Sequence, residues 1–269
     1  MNGRVVWAIA RKDLTEVLSN RMAWMPALMV PLIFTVALPL ALFVLGPVKP
    51  LPPMWLEQLK AVLPADLFKA MQGLGPLQQG AIFMTGHLFA PMFLVIPLML
   101  ATIVGANAFV GEKERKTLEA LLYTPATDAE IFLGKTLASV IPAVAIAWGS
   151  FALYAVVLNT VAWPYLGRIW FPTPSWWPLM LWVAPAIAGL GMIVTVIVSA
   201  RVSTFMEANQ AAGMLSIGVV GLMASQATGV LLLTAPVALA IGAAVWAVDG
   251  VLLVIAIKTF SRAKVITRL

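Results

Sequence analysis

Apolar residues run along this chain in long blocks, and short stretches between the blocks hold most of the charges. A helix needs roughly 20 apolar residues to cross the hydrocarbon core of a bilayer. The pattern therefore predicts an all-α membrane protein with six spans and one domain over 1–269. The predicted spans are 22–46, 82–110, 136–159, 178–200, 210–230 and 235–257.

A separate helix is predicted ahead of the first span, within segment 1–21. Its apolar residues recur at helical spacing, with charged residues between them. They are Val6, Ile9, Ala10, Leu14, Val17 and Leu18. The pattern favours an amphipathic helix that lies along the membrane surface. The alternative is that these residues only form an irregular start to the first span.

Composition supports the membrane assignment. The chain is 62% hydrophobic and 10% charged, whereas soluble domains have about 45–50% apolar and about 25% charged residues. It has no cysteine, which excludes disulfides and thiolate metal sites, and its one histidine, His87, cannot form a histidine-rich metal centre. We therefore expect no cofactor within this chain.

Positive charges are distributed unevenly between the two sides of the predicted topology. One side receives Lys49, Lys60, Lys69 and Arg168, and the other receives the remaining 13 of the 17 lysines and arginines. Because cytoplasmic loops carry the excess of Lys and Arg, both termini are predicted in the cytoplasm, and the protein in the cell inner membrane. The basic excess then faces anionic lipid, and nucleic acid is not an expected partner.

The segment 111–135 concentrates nine of the 28 charged residues of the chain. Placing them in hydrocarbon, at about 2.5–3.5 kcal/mol each, would cost on the order of 20–30 kcal/mol. This segment must therefore lie in water or against protein.

The charges of this segment are ordered along the sequence. Glu112 with Lys116, and Arg115 with Glu119, have the i,i+4 spacing that supports a helix. Pro125 ends that helix. Thr127 or Asp128 can cap the next helix, which leads into the third span. The pattern predicts a helix–proline–helix elbow (111–135) joined to two spans, on which a partner docks; the alternative is a solvated loop.

The elbow ends in the tripeptide G-K-T, which also closes a phosphate-binding loop. That loop needs another glycine five residues before Gly134, at a strand-to-helix turn. Position 129 is Ala129, and the residues after it begin an apolar helix. The chain is therefore not expected to bind ATP itself.

The sequence G-E-K-E-R-K-T-L-E-A-L-L-Y-T-P, followed by E-I-F-L-G-K, resembles the signature of ABC-2-type transporter permeases. These are membrane subunits of ATP-driven exporters, including sodium-efflux and drug-resistance permeases. The resemblance implies that the elbow is a coupling helix between spans two and three. It also implies a dimer of permeases, identical or paralogous, with two separate ATPase subunits that bind ATP and Mg. In several relatives a re-entrant helical pair separates spans five and six, but here only a short turn is predicted.

The resemblance also implies roles for particular residues. Gly134 and Lys135 would fix the elbow to the third span. The implied contacts with the ATPase are Glu112, Glu114, Thr117, Leu118, Glu119, Leu122 and Pro125.

A second polar interruption, 200–213, resembles the corresponding cytoplasmic loop of the same family. Arg201 and Glu207 are its candidate contacts with the ATPase. Glu207-Ala208 with Gly213 also half-matches the E-A-A-x-x-x-G motif of binding-protein-dependent importers, but Asn209 breaks that match.

Asp249 is the most informative charge within a predicted span. It is expected either on a translocation path for an ion or cationic substrate, or in a hydrogen bond between helices. A secondary transporter or channel driven by an ion gradient is the alternative function, although no internal repeat supports it. Sequence motifs of membrane-embedded enzymes are absent.

Overall fold

The computed structural model describes residues 2–19, 21–45, 65–115, 124–202 and 204–259. Regular structure in these residues is helical throughout, and they contain no strand. The helices are α1 (Gly3–Ser19), α2 (21–45), α3 (Ala65–Met71), α4 (Pro76–Gly111), α5 (Asp128–Leu166), α6 (Trp176–Ser199), α7 (Phe205–Gly213), α8 (Ser216–Ala227) and α9 (Ala235–Thr259).

Within the described ranges, five helical stretches are long and apolar enough to cross a membrane. They are Pro76–Gly111, Asp128–Leu166, Trp176–Ser199, Phe205–Ala227 and Ala235–Ala256. The apolar part of α2, Leu28–Val44, is shorter. The predicted all-α membrane class is therefore confirmed with five candidate spans, and the sixth remains a prediction.

Helix α5 extends well beyond the predicted span 136–159. Its 39 residues measure about 58 Å at about 1.5 Å per residue, more than the roughly 30 Å of hydrocarbon. Of the two caps proposed from sequence, Thr127 is the one used. Its Oγ1 accepts the Glu130 N–H at 3.3 Å, and the Glu130 carboxylate accepts the Thr127 N–H at 2.9 Å. This capping box satisfies donors that the first helical turn leaves free.

Helix α4 leaves α-helical geometry over 84–94, where a π-helical turn is followed by a 3-10 turn. Such turns free backbone carbonyls from their usual partners. Tyr154 Oη donates to the Thr85 carbonyl, and Trp176 Nε1 donates to the Gly86 carbonyl, both at 2.8 Å. Both aromatic side chains are fully buried between α4, α5 and α6, so they hold the irregular segment in the centre of the bundle.

Helix α1 packs along the first turns of α5. One face of α1 is buried, and its residues are Val6, Ile9, Ala10, Asp13 and Val17. The closest approach is at Gly134, where a Cβ atom would lie 2.8 Å from Ile9 and 2.9 Å from the Val6 carbonyl oxygen. Any side chain at this position would therefore separate the two helices.

We expect Gly134→Ala to destabilise the protein by about 1–3 kcal/mol, the range for overpacking a tight contact. The reason is that the Val6 carbonyl belongs to the backbone and cannot rotate away from a new methyl group. The measurement is thermal unfolding of the purified chain in lipid or detergent.

Gly149→Ala is the matched control, because it lies in the same helix and a Cβ there meets nothing within 4 Å. It should be neutral or slightly stabilising, since alanine favours a helix over glycine by about 1 kcal/mol. Equal effects of the two substitutions would contradict the packing described here.

Candidate functional site

The amino group of Lys135 is the centre of a buried ionic cluster at the end of the bundle where α4 ends and α5 begins. The Lys135 side chain is 0% exposed. Its Nζ donates to the Ala108 carbonyl at 2.6 Å and to Glu112 Oε2 at 2.7 Å, and lies 3.3 Å from Asp13 Oδ2. The ammonium also lies 5.4 Å from the centre of the Phe109 ring. One side chain of α5 therefore binds both the end of α4 and helix α1.

Helix α1 supplies half of this cluster. Lys12 pairs with Glu112 and lies 3.2 Å from Asp13 Oδ1. At the exposed edge, Arg115 pairs with Glu16. We call the six side chains the ionic hub: Lys12, Asp13, Glu16, Glu112, Arg115 and Lys135. Its three carboxylates and three cations balance, so the hub is formally neutral.

The environment of the hub shifts the pKa values of its two buried carboxyl groups in opposite directions. Burial alone would raise the pKa of Glu112, but Lys135 and Lys12 favour its ionised form more strongly, and its pKa lies below the ordinary 4.5. For Asp13, burial outweighs the attraction of Lys135, and its pKa lies above the ordinary 3.8. Glu112 is therefore the firmly ionised partner of Lys135.

The spacing of the acidic residues alone would also suit a metal ion. Asp13, Glu16 and Glu112 each offer an oxygen, and these oxygens lie within 4.8 Å of one another. Each of these carboxylates, however, already has a Lys or Arg partner. A divalent cation would have to displace these cations, so we interpret the cluster as ion pairing between helices.

The elbow and the second polar loop meet at the same end of the bundle. Glu114 Oε2 accepts the backbone N–H of Phe205 at 3.1 Å, at the first residue of α7. Beneath this bond, Val110 of α4 and Ala208 of α7 belong to one buried apolar cluster. The start of the elbow and the start of α7 are therefore in direct contact.

The other residues predicted for this site fall into two groups. Thr117, Leu118, Glu119 and Leu122 lie outside the described residues. Pro125, Arg201 and Glu207 are exposed at this end of the bundle. Glu112 differs from the expectation of a surface contact, because it is 1% exposed and bound within the hub. Gly134 lies against α1, and Lys135 binds Glu112 at the start of the elbow and Asp13 of α1. Their role in fixing the elbow to the third span stays a prediction.

His87 and Asp249 are buried within candidate spans. His87 is 1% exposed, and its Nε2 lies 3.4 Å from Nε2 of the buried Gln226. This contact joins α4 to α8. Asp249 is 4% exposed in α9, and among the described residues neither of its carboxylate oxygens has a hydrogen-bond partner. Both expectations for Asp249, a translocation path and a hydrogen bond between helices, stay predictions.

Sequence reasoning missed the participation of α1 in the hub. The available signal was the position of Asp13, which follows Val6, Ile9 and Ala10 at helical spacing and precedes Val17. A carboxylate on the apolar face of an amphipathic helix needs a buried cation nearby. That cation is Lys135, 122 residues further along the chain.

These features define a helical, multi-pass membrane protein whose charged end is held together by buried ion pairs. The sequence profile of the ABC-2 family transporter proteins matches residues 7–248. The chain therefore belongs to this family, whose members are membrane subunits of ABC transporters. In addition, 74 residues are 35% identical to the ABC transporter permease protein NatB of Bacillus subtilis (strain 168), over 25% of this chain and 19% of that protein.

Lys135→Met should destabilise the protein by about 3–5 kcal/mol, because it leaves the buried Glu112 and Asp13 without their common cation. Thermal unfolding measures the effect, with the exposed Lys69→Met as the control. Adding Glu112→Gln to Lys135→Met should recover part of the loss, since it removes one uncompensated charge. Additive losses in the double variant would show that the two side chains do not interact.

The hub also predicts how stability responds to acid. Because the pKa of Glu112 is lower in the folded chain than its ordinary 4.5, ionisation of Glu112 stabilises the folded state. This stabilisation is complete above pH 4.5 and is lost as the pH falls through the lower pKa of the folded state. Asp13 has the opposite effect on stability, because its pKa is higher in the folded chain than its ordinary 3.8. Its stabilising contribution is complete below pH 3.8 and is lost as the pH rises through the higher pKa of the folded state.

Melting temperatures measured from neutral pH to below these values test the assignment. Glu112→Gln should flatten the loss of stability in acid, whereas Asp13→Asn should make it steeper because the opposing titration is gone. Identical acid profiles for the wild type and both variants would refute it.

Proposed function

We propose that this chain is the permease subunit of an ATP-driven ABC-2-type exporter and is moved by a separate ATPase subunit docked on the elbow 111–135. In this proposal, two permeases, identical or paralogous, assemble with two ATPases that bind ATP and Mg. The permease forms the path for an unidentified substrate, and the ATPases perform the chemistry.

The observation that carries this proposal is the ion pair between Glu112 and Lys135. These residues stand at the two ends of the elbow, 23 positions apart, and bind at 2.7 Å. Because Asp13 binds the same ammonium, a force applied to the elbow reaches α4, α5 and α1 together. A solvated loop without a docking partner would not require a buried ion pair between its two ends.

The docking surface in this proposal combines the elbow with α7. Its described members share exposure at the charged end of the bundle. They are Glu114, Pro125, Arg201, Met206 and Glu207. Met206 is 59% exposed, and methionine is enriched at protein interfaces. Glu112, in contrast, acts inside the hub and transmits movement without touching the partner.

The rest of the proposal concerns placement in the membrane. The excess of Lys and Arg favours a cytoplasmic position for the charged end, in the inner membrane. The apolar stretch Leu28–Val44 would then supply the sixth span, and both termini would be cytoplasmic. Helix α1 would lie at the interface, since its outward face carries Arg4, Trp7 and Arg11.

Co-purification with an ATPase tests the proposal against the alternative of a transporter driven by an ion gradient. The tagged chain should recover a soluble ABC ATPase from its native membranes, and the complex should hydrolyse ATP in lipid. Recovery of the folded permease with no ATPase, under several mild detergents, would favour the alternative.

Variants of the docking surface sharpen this test. Arg201→Glu and Met206→Glu should each reduce ATPase recovery about tenfold or more, because a mismatched charge at an interface costs several kcal/mol. Lys69→Glu is the matched control, since Lys69 is exposed near Arg168 at the opposite end of the bundle. All three variants should keep the melting temperature of the wild type. Equal ATPase recovery by all three would exclude this surface.

A further inference from the structure

Asp249 lies near the middle of a membrane-spanning helix. It is ten residues before the end of α9 at Thr259, which is about 15 Å at about 1.5 Å per residue. The stretch Ala235–Ala256 that contains it is one of the five candidate spans. An aspartate at this depth is costly in its ionised form, and such residues in membrane proteins usually have a functional reason.

The carboxyl group of Asp249 is enclosed by the contact between α6 and α9. A Cβ atom on Gly189 of α6 would lie 3.1 Å from Asp249 Oδ2, so the carboxyl group fills the space that this glycine leaves. Two turns away, the indole of Trp182 lies over Gly242 of α9. The two helices are therefore in close contact at Asp249 and again two turns before it, which leaves little room for a bound molecule at the carboxyl group.

No charge faces Asp249 from the described segments packed against α9. These segments belong to α6, from Trp176 to Ser199, and its sequence contains no titratable or charged residue. On α9 itself, the other charged residue is Lys258, nine positions away. Within the part of the chain that the structure describes, the two oxygens of Asp249 are also without a hydrogen-bond partner.

These contacts limit what can compensate the carboxylate. A metal ion such as calcium or magnesium needs about six oxygen ligands. Among the described residues, the cluster of metal-ligating side chains is Asp13, Glu16 and Glu112, which does not include Asp249. A proton needs only the carboxylate itself, and it removes the charge that hydrocarbon would not solvate.

We propose that Asp249 is a proton-binding site inside the membrane, occupied as the neutral acid when α6 and α9 are in contact. If the two helices separate and water enters, the acid can ionise and release its proton, and closing the contact takes the proton up again. Transport by this chain would then include binding and release of a proton at Asp249. This inference requires the membrane spans but does not depend on an ATPase partner.

The experiment uses carbodiimides, which react with carboxylic acids in their protonated form. The full-length chain in lipid vesicles is treated with lipophilic dicyclohexylcarbodiimide, and parallel samples receive a water-soluble carbodiimide. Mass spectrometry then locates the modified carboxyl groups. The exposed Glu114 is the internal control for access from water.

The proposal expects the lipophilic reagent to modify Asp249 and the water-soluble reagent to modify Glu114 but not Asp249. Modification of Asp249 should fall about tenfold per pH unit once the pH is high enough to ionise most of the acid. Asp249→Asn should abolish this adduct and keep the wild-type melting temperature, because asparagine resembles the neutral acid in shape.

Three results would overturn the proposal. The first is equal modification of Asp249 by both reagents, which would place it in water. The second is no modification of Asp249 at any pH. The third is protection by sodium or potassium chloride but not by choline chloride, which would indicate a metal cation. Because these measurements use the wild-type permease alone, they remain decisive if Asp249→Asn does not fold or if no ATPase is found.

Discussion

The structure depends on the burial of one ammonium group. Lys135 sits among α1, α4 and α5, and two carboxylates and one backbone carbonyl compensate its charge. Because a buried charge without partners is strongly unfavourable, the three helices cannot separate independently at this end of the bundle. The apolar packing at Gly134 adds a steric requirement for close contact between α1 and α5. Together these constraints make the charged end of the bundle a single mechanical unit.

This arrangement of ion pairs can be related to the function proposed for a member of this family. A membrane subunit that is moved by a partner needs a polar segment to receive the force and a stiff connection to its spans. Under the proposed function, the bond between Glu112 and Lys135 would be that connection, and the bond between Glu114 and Phe205 would extend it to α7. Charged side chains cannot enter lipid, so at this end of the bundle they form ion pairs and hydrogen bonds with other protein groups. The proposed docking surface lies where these contacts are made.

The interior of the bundle follows a different rule. Several polar groups there complete backbone hydrogen bonds, as Tyr154 and Trp176 do at the irregular part of α4, or contact one another, as His87 and Gln226 do. Asp249 differs from these groups, because it is an acid in a close helix contact and both of its oxygens are without a partner among the residues that the structure describes. That difference is the reason for assigning it a proton.

The sequence by itself determined the helical membrane class, the concentration of charge in segment 111–135 and the family, because apolar block length and local motifs are properties of neighbouring residues. It also indicated Thr127 as one of two possible caps. Only the tertiary structure decided that Glu112 turns inward, that Asp13 shares Lys135 with it, that Glu114 reaches α7, and that Asp249 faces a glycine. These contacts join residues far apart in the chain, and hydrophobic periodicity shows which face of a helix is apolar but not which helix lies against it.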